Sequence, residues 1–499
     1  MDCWIGLDLG TSFVKAGLYD LMGHELAVAR EPLSLNMPAP GWAEQDPREW
    51  WLAIQKVLRS LTDRFDARMI RAVCLCAQCP GQVIVGKDQE PLGNAIIWLD
   101  QRAADEAAWL DNNVGPQDRL AWIGEAQLGD PHSSPARILW LKNHDPRFER
   151  AEYILQPKDF MGFMLTARVA TDRNTAYNLA HPVTLAYHPE FLRLLGVREQ
   201  QLPPVLAATD SLGEVSQSAA RTTGLVSGTP VFVGTIDAYC DTLAGGAFIP
   251  GQAVDVSGTS EIVSLGVDHK VEGQGVFYTH LAEDAQFICG PMQVGGHLLA
   301  WLADSFYPER SEGVPFERME SEASQTAPGA DGLVFLPYLQ GERAPIWDLQ
   351  VRGAFLGIKT SHNRKHFSRA VYESVGFAVR HVLEICEDIR GQKVNGVVAC
   401  GGGARSAFWN KIKADILQKR VLPLETEASA CLGATMIAAV GLGFFPNLAK
   451  AWAGMSHFGA AVLPDENLAD TYNRLYGVYR RAYPGVKTIL GTPGVEESK

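Results

Sequence analysis

Near its amino terminus the chain reads Trp4-Ile5-Gly6-Leu7-Asp8-Leu9-Gly10-Thr11-Ser12, and a second apolar run follows over 13–19. The tripeptide returns about half a chain length later as Gly258-Thr259-Ser260, again between two apolar runs. Apolar runs around a turn of small residues predict a pair of strands joined by a hairpin. The repetition predicts two similar halves, each opening with a hairpin whose turn offers backbone amides and a hydroxyl group. Two such turns facing each other can hold a polyphosphate, although small residues also form ordinary turns.

Size and composition narrow the class of protein. A chain of 499 residues is too long for one hydrophobic core, so two or three domains are expected. The hydrophobic fraction of 46% and the charged fraction of 20% are typical of a globular protein. Nucleic-acid-binding proteins usually carry an excess of positive charge, whereas this chain has a net charge of −13. The sequence also contains no polybasic segment of the kind that binds membranes. We therefore expect neither nucleic acid nor a membrane as partner.

Three features predict a cytoplasmic protein. The start of the chain lacks the basic region of a signal peptide. The longest apolar stretch, Cys431 to Phe445, is shorter than the ~18 residues of a membrane span and is predicted to be a buried helix. The nine cysteines are scattered, as expected for reduced thiols. The spacing of Cys74, Cys76 and Cys79 resembles a metal cluster locally, but no second pair completes it.

Alternating strand and helix patterns in both halves predict two α/β domains. Helices are expected over 47–64, 366–389 and 406–417. A glycine-rich segment, 245–251, precedes the second hairpin and places the boundary between domains 1–246 and 247–485. Residues 486–499 are expected to form a flexible tail.

Asp8 and Asp237 are the leading candidate acids. Asp8 ends an apolar strand beside the first turn, where a carboxylate either holds Mg²⁺ against a polyphosphate or caps the turn. Asp237 lies just beyond a second apolar strand, where a general base for a hydroxyl group is expected, but it also suits a helix N-cap. Asp241, one turn later, is an equally good carboxylate by residue type. Spacing alone does not choose between Asp237 and Asp241.

Two loops and a glycine run complete the candidate residues. Gly401-Gly402-Gly403-Ala404 lies between a predicted strand and a helix, which suits phosphate approach but matches neither a Rossmann nor a P-loop motif. Gln78, Trp98, Asp100 and Arg102 fall on loops near strand ends. Trp98 is either a sugar platform or a core residue. Arg102 is expected to pair with Asp100 or Asp105.

Several longer motifs resemble the FGGY family of carbohydrate kinases, most closely its xylulokinase, or pentulose kinase, branch. The resemblance runs from Trp4 to about Asn447. Besides the first hairpin, it rests on Gly41-Trp42-Ala43-Glu44-Gln45-Asp46-Pro47, Ala95-Ile96-Ile97-Trp98-Leu99-Asp100-Gln101-Arg102, Pro157-Lys158-Asp159-Phe160, Ala170-Thr171-Asp172, Gly341-Glu342-Arg343-Ala344-Pro345, Gly353-Ala354-Phe355-Leu356-Gly357-Ile358, His366-Phe367, Ala370-Val371-Tyr372-Glu373 and Gly401-Gly402-Gly403-Ala404.

The resemblance implies an α/β, two-domain, actin-like or hexokinase-like ATPase fold, built from duplicated RNase H-like domains with an interdomain cleft. It implies ATP and Mg²⁺ as cofactors, the first domain holding the sugar and both domains holding MgATP. By position, Asp237 matches the catalytic base, which also contacts the substrate, and Asp8 matches the metal-associated acid. The nucleotide-binding positions are Gly10, Thr11, Ser12, Lys15, Gly258, Thr259, Gly296, Gly402, Gly403 and Ala404. The substrate-binding positions are Gln78, Cys79, Pro80, Trp98 and Asp237.

The sugar side departs from the family pattern. The xylulokinase sequence Gly-Gln-Met-His-Gly is replaced by Ala77-Gln78-Cys79-Pro80-Gly81, and Ala238 replaces an asparagine after the base. Arg137 stands where a lysine is usual. Because one buried donor or acceptor can change sugar discrimination by roughly 10⁴-fold, these changes leave the substrate open. D-xylulose, giving D-xylulose 5-phosphate, comes first, and L-xylulose, D-ribulose, gluconate and erythritol are alternatives.

Two other functions suit the same fold: a non-catalytic sugar-responsive regulator, and an ATPase that needs no sugar. Retention of Asp8, Asp237 and both turns favours a kinase over a regulator, since a sugar binder needs no base. The sequence leaves the oligomeric state open, with a homodimer as one candidate.

Overall fold

The computed structural model describes residues 2–124, 128–271, 273–282, 285–308, 315–348 and 350–490. The chain forms two compact units. Unit 1 comprises residues 1–244 and 428–455, and unit 2 comprises residues 245–427 and 456–499.

Twenty strands lie in the described residues. They are β1 (Cys3–Leu9), β2 (Phe13–Asp20), β3 (Glu25–Pro32), β4 (Glu44–Gln45), β5 (Ile70–Ala77), β6 (Val83–Val85), β7 (Ala95–Ile96), β8 (Tyr153–Leu155), β9 (Thr171–Asp172), β10 (Val205–Leu206), β11 (Ser211–Glu214), β12 (Pro230–Ile236), β13 (Ala253–Ser257), β14 (Glu261–Gly266), β15 (Phe277–Ala282), β16 (Ala285–Pro291), β17 (Val334–Leu336), β18 (Ala354–Leu356), β19 (Gly396–Cys400) and β20 (Arg420–Pro423).

The same residues contain fifteen α-helices. They are α1 (Pro47–Thr62), α2 (Ala104–Asn113), α3 (Pro116–Ile123), α4 (Ser134–His144), α5 (Pro157–Thr166), α6 (Pro189–Leu195), α7 (Gln217–Thr223), α8 (Asp237–Gly245), α9 (His297–Phe306), α10 (Phe316–Ser324), α11 (Arg364–Arg390), α12 (Ala407–Leu417), α13 (Ser429–Gly441), α14 (Leu448–Met455) and α15 (Ala469–Leu490).

Unit 1 is built on a six-stranded sheet of order β11-β12-β5-β1-β2-β3. Strands β1, β2 and β3 form an antiparallel meander, and β5 and β12 extend the sheet in parallel with β1. The predicted first hairpin is present, and its register places Asp8 opposite Lys15. Helices α2, α3, α4 and α6 surround a second apolar core in the same unit.

Unit 2 repeats this arrangement. Its sheet has the order β15-β16-β14-β13-β19-β20. Strands β13, β14 and β16 form the antiparallel meander, and β19 and β20 continue in parallel with β13. Five strands therefore have the same order and direction in both units, which confirms the duplicated α/β fold predicted from the repeated tripeptide.

Helix α13 changes the predicted domain division. Residues 429–439 of this helix are buried and most of them are apolar, as predicted for the start of the stretch Cys431 to Phe445, but the helix ends earlier, at Gly441. The helix packs on β1, β5 and β12 of unit 1, although the boundary at 246/247 assigns it to the second domain. The physical reason is close backbone packing: a Cβ at Gly6 would lie 2.0 Å from the carbonyl oxygen of Cys431. The chain therefore enters unit 1 twice.

The carboxyl terminus differs in part from the predicted tail. Helix α15 continues to Leu490, so 486–490 are helical, and 491–499 lie outside the described residues. Among the helices that the structure describes, none is both long and apolar enough to cross a membrane.

Candidate active site

The carboxyl ends of β1, β5 and β12 lie side by side, because these neighbouring strands are parallel. They deliver Gly10, Gln78 and Asp237 to one edge of the unit 1 sheet. The amide of Gln78 donates to the carbonyl oxygen of Leu9 at 2.8 Å, which fixes the second loop against the first. Ligands commonly bind at such an edge.

Three carboxylates and one lysine gather there. Lys15 Nζ lies 3.8 Å from Asp8 Oδ2, and the ammonium group also interacts with Asp237 and Asp241. Burial raises the pKa of Asp237 to about 8, and the negative charges of Asp8 and Asp241 add to that shift. Burial likewise raises the pKa of Asp241 to about 7. A raised carboxyl pKa is typical of a group poised for proton transfer near neutral pH.

Asp8 is buried, and its Oδ1 has no hydrogen-bond partner within the part of the chain that the structure describes. Asp8 therefore does not cap the Gly-Thr-Ser turn through Oδ1, although turn capping was the alternative role predicted for this residue. Burial raises the pKa of Asp8. Burying a carboxylate oxygen without a partner costs free energy unless a cation binds it, so Asp8 is suited to holding Mg²⁺. In the described ranges, no three acidic, cysteine or histidine side chains are arranged so that they could together hold a metal ion.

Ser429 is a residue that the sequence reasoning missed. It opens α13, and its hydroxyl group donates to Asp241 Oδ1 at 2.5 Å. This contact holds Asp241 through a side chain from another helix. Among the residues that the structure describes, the Asp237 carboxylate accepts only from the adjacent Ala238 amide, at 2.6 Å. Asp237 is therefore the freer of the two acids. The sequence predicted a helix over 431–445, which overlaps α13, but it gave no indication that this helix would contact Asp241.

Thr11, Gln78 and Trp98 form one hydrogen-bonded network. The Trp98 indole donates to Thr11 Oγ1 at 2.8 Å, and Thr11 Oγ1 donates to Gln78 Oε1 at 3.2 Å. The side-chain amide of Gln78 donates to Gln45 Oε1 at 2.7 Å. Gln45 belongs to the motif over 41–47, which gave no indication of this contact. The half-buried Trp98 thus links the first turn to the loop that follows β5.

Arg137 holds the two candidate sugar loops together. The fully buried guanidinium group donates to the carbonyl oxygens of Pro80, Trp98 and Asp100 at 2.9, 3.2 and 3.1 Å. Arg102 pairs with Asp100 at 2.6 Å, as one predicted alternative had it, and with Glu44 at 2.8 Å. Within the ranges described above, Arg102 forms no ion pair with Asp105, the other alternative.

A further acidic group lies beside Cys79. The Thr235 hydroxyl donates to Asp172 Oδ2 at 2.7 Å, and Lys158 lies 3.3 and 3.4 Å from Asp159 and Asp172. Burial raises the pKa of the Cys79 thiol well above its usual value, and the charges of Asp172 and Asp237 reinforce this. Cys79 therefore presents a neutral thiol near the candidate base.

In unit 2, three predicted nucleotide-binding segments meet at the second Gly-Thr-Ser turn. The Gly296 amide, at the start of α9, donates to the carbonyl oxygen of Gly258 at 3.0 Å, and the His297 amide donates to that of Thr259 at 3.1 Å. A Cβ at Gly403 would lie 2.5 Å from the Ser257 Cβ. Gly402 is exposed, and Ala404 is buried behind it. Backbone amides, a helix N-terminus and glycines in contact suit a polyphosphate.

Comparison with known proteins decides the family. Residues 3–244 match the N-terminal domain of the FGGY family of carbohydrate kinases, and residues 253–442 match its C-terminal domain. The chain belongs to the FGGY family of carbohydrate kinases. This FGGY protein is a sugar kinase, as the motifs predicted.

Relatives of this kinase include two with named substrates. It is 30% identical to the xylulose kinase of Bacillus subtilis (strain 168), over 97% of each chain. It is also 30% identical to the L-xylulose/3-keto-L-gulonate kinase of Escherichia coli (strain K12), over 96% of each chain. A solved structure of ligand-bound xylulose kinase from Lactobacillus acidophilus superimposes with a TM-score of 0.85 at 26% identity, covering 98% of this chain and 99% of that one.

Proposed function

We propose that this kinase transfers the γ-phosphoryl group of ATP to a hydroxyl group of a pentulose, with D-xylulose as first candidate and D-xylulose 5-phosphate as product. The similarity to xylulose kinases over nearly the whole chain supports the sugar class. L-xylulose, D-ribulose, gluconate and erythritol are the other acceptors to test, since an L-xylulose kinase is equally similar.

The observation that carries the proposal is the position of Asp237 at the carboxyl end of β12, with its pKa raised to about 8. Asp237 acts as the general base. It accepts the proton of the attacking hydroxyl group, which then bonds to the γ-phosphorus while the bond to the leaving ADP oxygen breaks. Asp241 is held by Ser429 and supplies negative charge that keeps Asp237 basic.

Asp8 and Lys15 serve the phosphates in this proposal. Asp8 would hold Mg²⁺ through its orphaned oxygen, and the metal would neutralise charge on the phosphoryl oxygens. Lys15 balances the acids around it and provides a fixed cation for the transferred group. Gly10, Thr11 and Ser12 belong to the same turn, with Ser12 exposed.

Unit 2 binds the nucleotide. The amides of Gly258 and Gly296 already donate to carbonyl oxygens within the turn, so these two glycines leave room for the phosphates beside the Thr259 amide. Gly402, Gly403 and Ala404 lie against the nucleoside. In unit 1, Gln78, Cys79, Pro80 and Trp98 contact the sugar. The neutral Cys79 thiol and the proline that follows it replace the methionine and the histidine of the xylulokinase pattern. The polar contact of the histidine is lost, so we expect weaker discrimination through that loop.

An ADP-release assay over a panel of sugars and polyols tests the proposal. We expect release that depends on the sugar, highest with a pentulose. Tight sugar binding without ADP release would support a regulator instead. ADP release that is unaffected by every sugar would support a plain ATPase.

A further inference from the structure

A buried charged group lies directly behind the second Gly-Thr-Ser turn. Lys413 Nζ is 2.6 Å from Asp255 Oδ2 and 2.5 Å from Ser257 Oγ, and it also contacts Glu261 Oε1. All four residues are buried. We name these four residues the Lys413 cluster.

The Lys413 cluster spans both ends of the turn. Ser257 ends β13 and immediately precedes Gly258, while Glu261 begins β14 and immediately follows Ser260. The Ser257 hydroxyl donates to Glu261 Oε1 at 2.7 Å, so the two ends are also joined directly. Lys413 projects from α12, and it therefore ties the whole turn to that helix.

The other two nucleotide-binding segments are attached to the same residues. The Glu261 amide donates to the carbonyl oxygen of Val294 at 2.7 Å, and the Met292 amide donates to that of Glu261 at 2.8 Å, just before Gly296. A Cβ at Gly401 would lie 2.6 Å from the Ser257 carbonyl oxygen. A shift of Ser257 or Glu261 would therefore move all three segments.

The charges of the Lys413 cluster favour a positioning role over a stabilising one. Asp255 Oδ1 and Glu261 Oε2 have no hydrogen-bond partner within the described ranges, so two carboxylates share one ammonium group. Buried ion pairs of this kind are often no more stable than apolar residues of the same volume. Burial raises the pKa of Glu261 to about 8, so the cluster carries little net charge behind the site for phosphates at neutral pH.

We propose that Lys413 is a positioning residue for the donor nucleotide, which fixes the conformation of the Gly258-Thr259-Ser260 turn and, through Glu261, of the segment that leads to Gly296. The inference rests on the proposed assignment of ATP to these segments. It predicts that disturbing the cluster impairs the use of ATP and leaves sugar binding unchanged.

Steady-state kinetics of Lys413→Met and Lys413→Arg test the inference, with calorimetric binding of MgADP as a second measurement. We expect Lys413→Met to lower kcat/KM for ATP roughly 10- to 100-fold, since small displacements of binding groups have effects of this size. KM for the sugar should change less than about twofold, and Lys413→Arg should recover part of the ATP effect because it keeps the charge.

A triple variant tests the inference if Lys413→Met alone fails to fold. Lys413→Met combined with Asp255→Asn and Glu261→Gln removes every charge of the cluster, so no unpaired charge remains buried. Glu373→Gln is the matched control, because Glu373 is a buried carboxylate of unit 2 that pairs with Arg369 at 2.7 Å away from the turn. It should lower stability and leave kcat/KM for ATP unchanged.

Two outcomes overturn the inference in distinguishable ways. A folded triple variant with wild-type kcat/KM for ATP would show that the Lys413 cluster is merely structural. A wild-type protein that binds no MgADP would remove the proposed nucleotide site and this inference with it.

Discussion

At the scale of single residues, the proposed general base Asp237 gives the most direct test of the mechanism. We predict that Asp237→Asn lowers kcat by ~10²–10⁴, the usual effect of removing a general base, and leaves MgATP affinity nearly intact. Steady-state kinetics with calorimetric nucleotide binding would measure both effects. Asp241→Asn is the matched control and should lose much less activity. Near-normal turnover of Asp237→Asn would remove this residue from the mechanism.

The raised pKa of Asp237 predicts the pH profile. A base must be unprotonated, so kcat/KM for the sugar should rise with pH and reach half its maximum near pH 8. Because the charge of Asp241 contributes to the raised pKa, Asp241→Asn should move this midpoint to lower pH. A midpoint that stays in place or moves upward in the variant would contradict the coupling of the two acids.

The sequence predicted Asp8 and Asp237 because the first lies at the end of an apolar strand and the second directly follows one, and strand ends gather ligand-binding groups. It did not predict that Ser429 would contact Asp241, since the two are far apart in the chain and only the packing of α13 joins them. Lys413 was missed for a related reason. It lies one turn after Trp409 in a predicted helix, and its acidic partners come from two distant strands.

At the scale of elements, the close backbone contact between β1 and α13 allows the most direct test of the fold. We predict that Gly6→Ala destabilises unit 1 by about 1–3 kcal/mol or more, because the new Cβ would meet backbone atoms of Cys431 that cannot easily move. Urea unfolding would measure the change. Gly485→Ala in α15 is the control, since a Cβ there meets nothing within 4 Å, and it should be neutral or slightly stabilising. Equal stability of the two variants would contradict the packing.

Helix ends were predicted less accurately than helix positions. The helix expected over 366–389 runs from Arg364 to Arg390. Asn363 caps its start by accepting from the Lys365 amide at 3.2 Å, and Gly391 ends it in the left-handed conformation. Both capping signals were present in the sequence, but the apolar pattern begins only at Phe367.

At the scale of the whole molecule, the path of the chain limits where it can be divided. We predict that a fragment of residues 1–246 is unstable, because it lacks α13 and exposes the face of β1, β5 and β12 on which that helix packs, including Cys76 and Phe232. Joining residues 1–244 to 428–455 through a flexible linker should give a soluble fragment with cooperative unfolding. Circular dichroism and thermal melts of both fragments would measure this. A stable 1–246 fragment would contradict the assignment of α13 to unit 1.

The large-scale repeat was predictable because each half begins with the same tripeptide between strands. The return of the chain to unit 1 at α13 was not predictable, because the sequence of an apolar helix does not show which sheet face the helix will cover. The order of β1 and α13 along the chain also has a consequence during synthesis. The ribosome synthesises α13 more than four hundred residues after β1. The sheet face that α13 covers is therefore exposed while the residues between them are translated. We expect nascent chains of this enzyme to rely on chaperones until that late helix emerges from the exit tunnel.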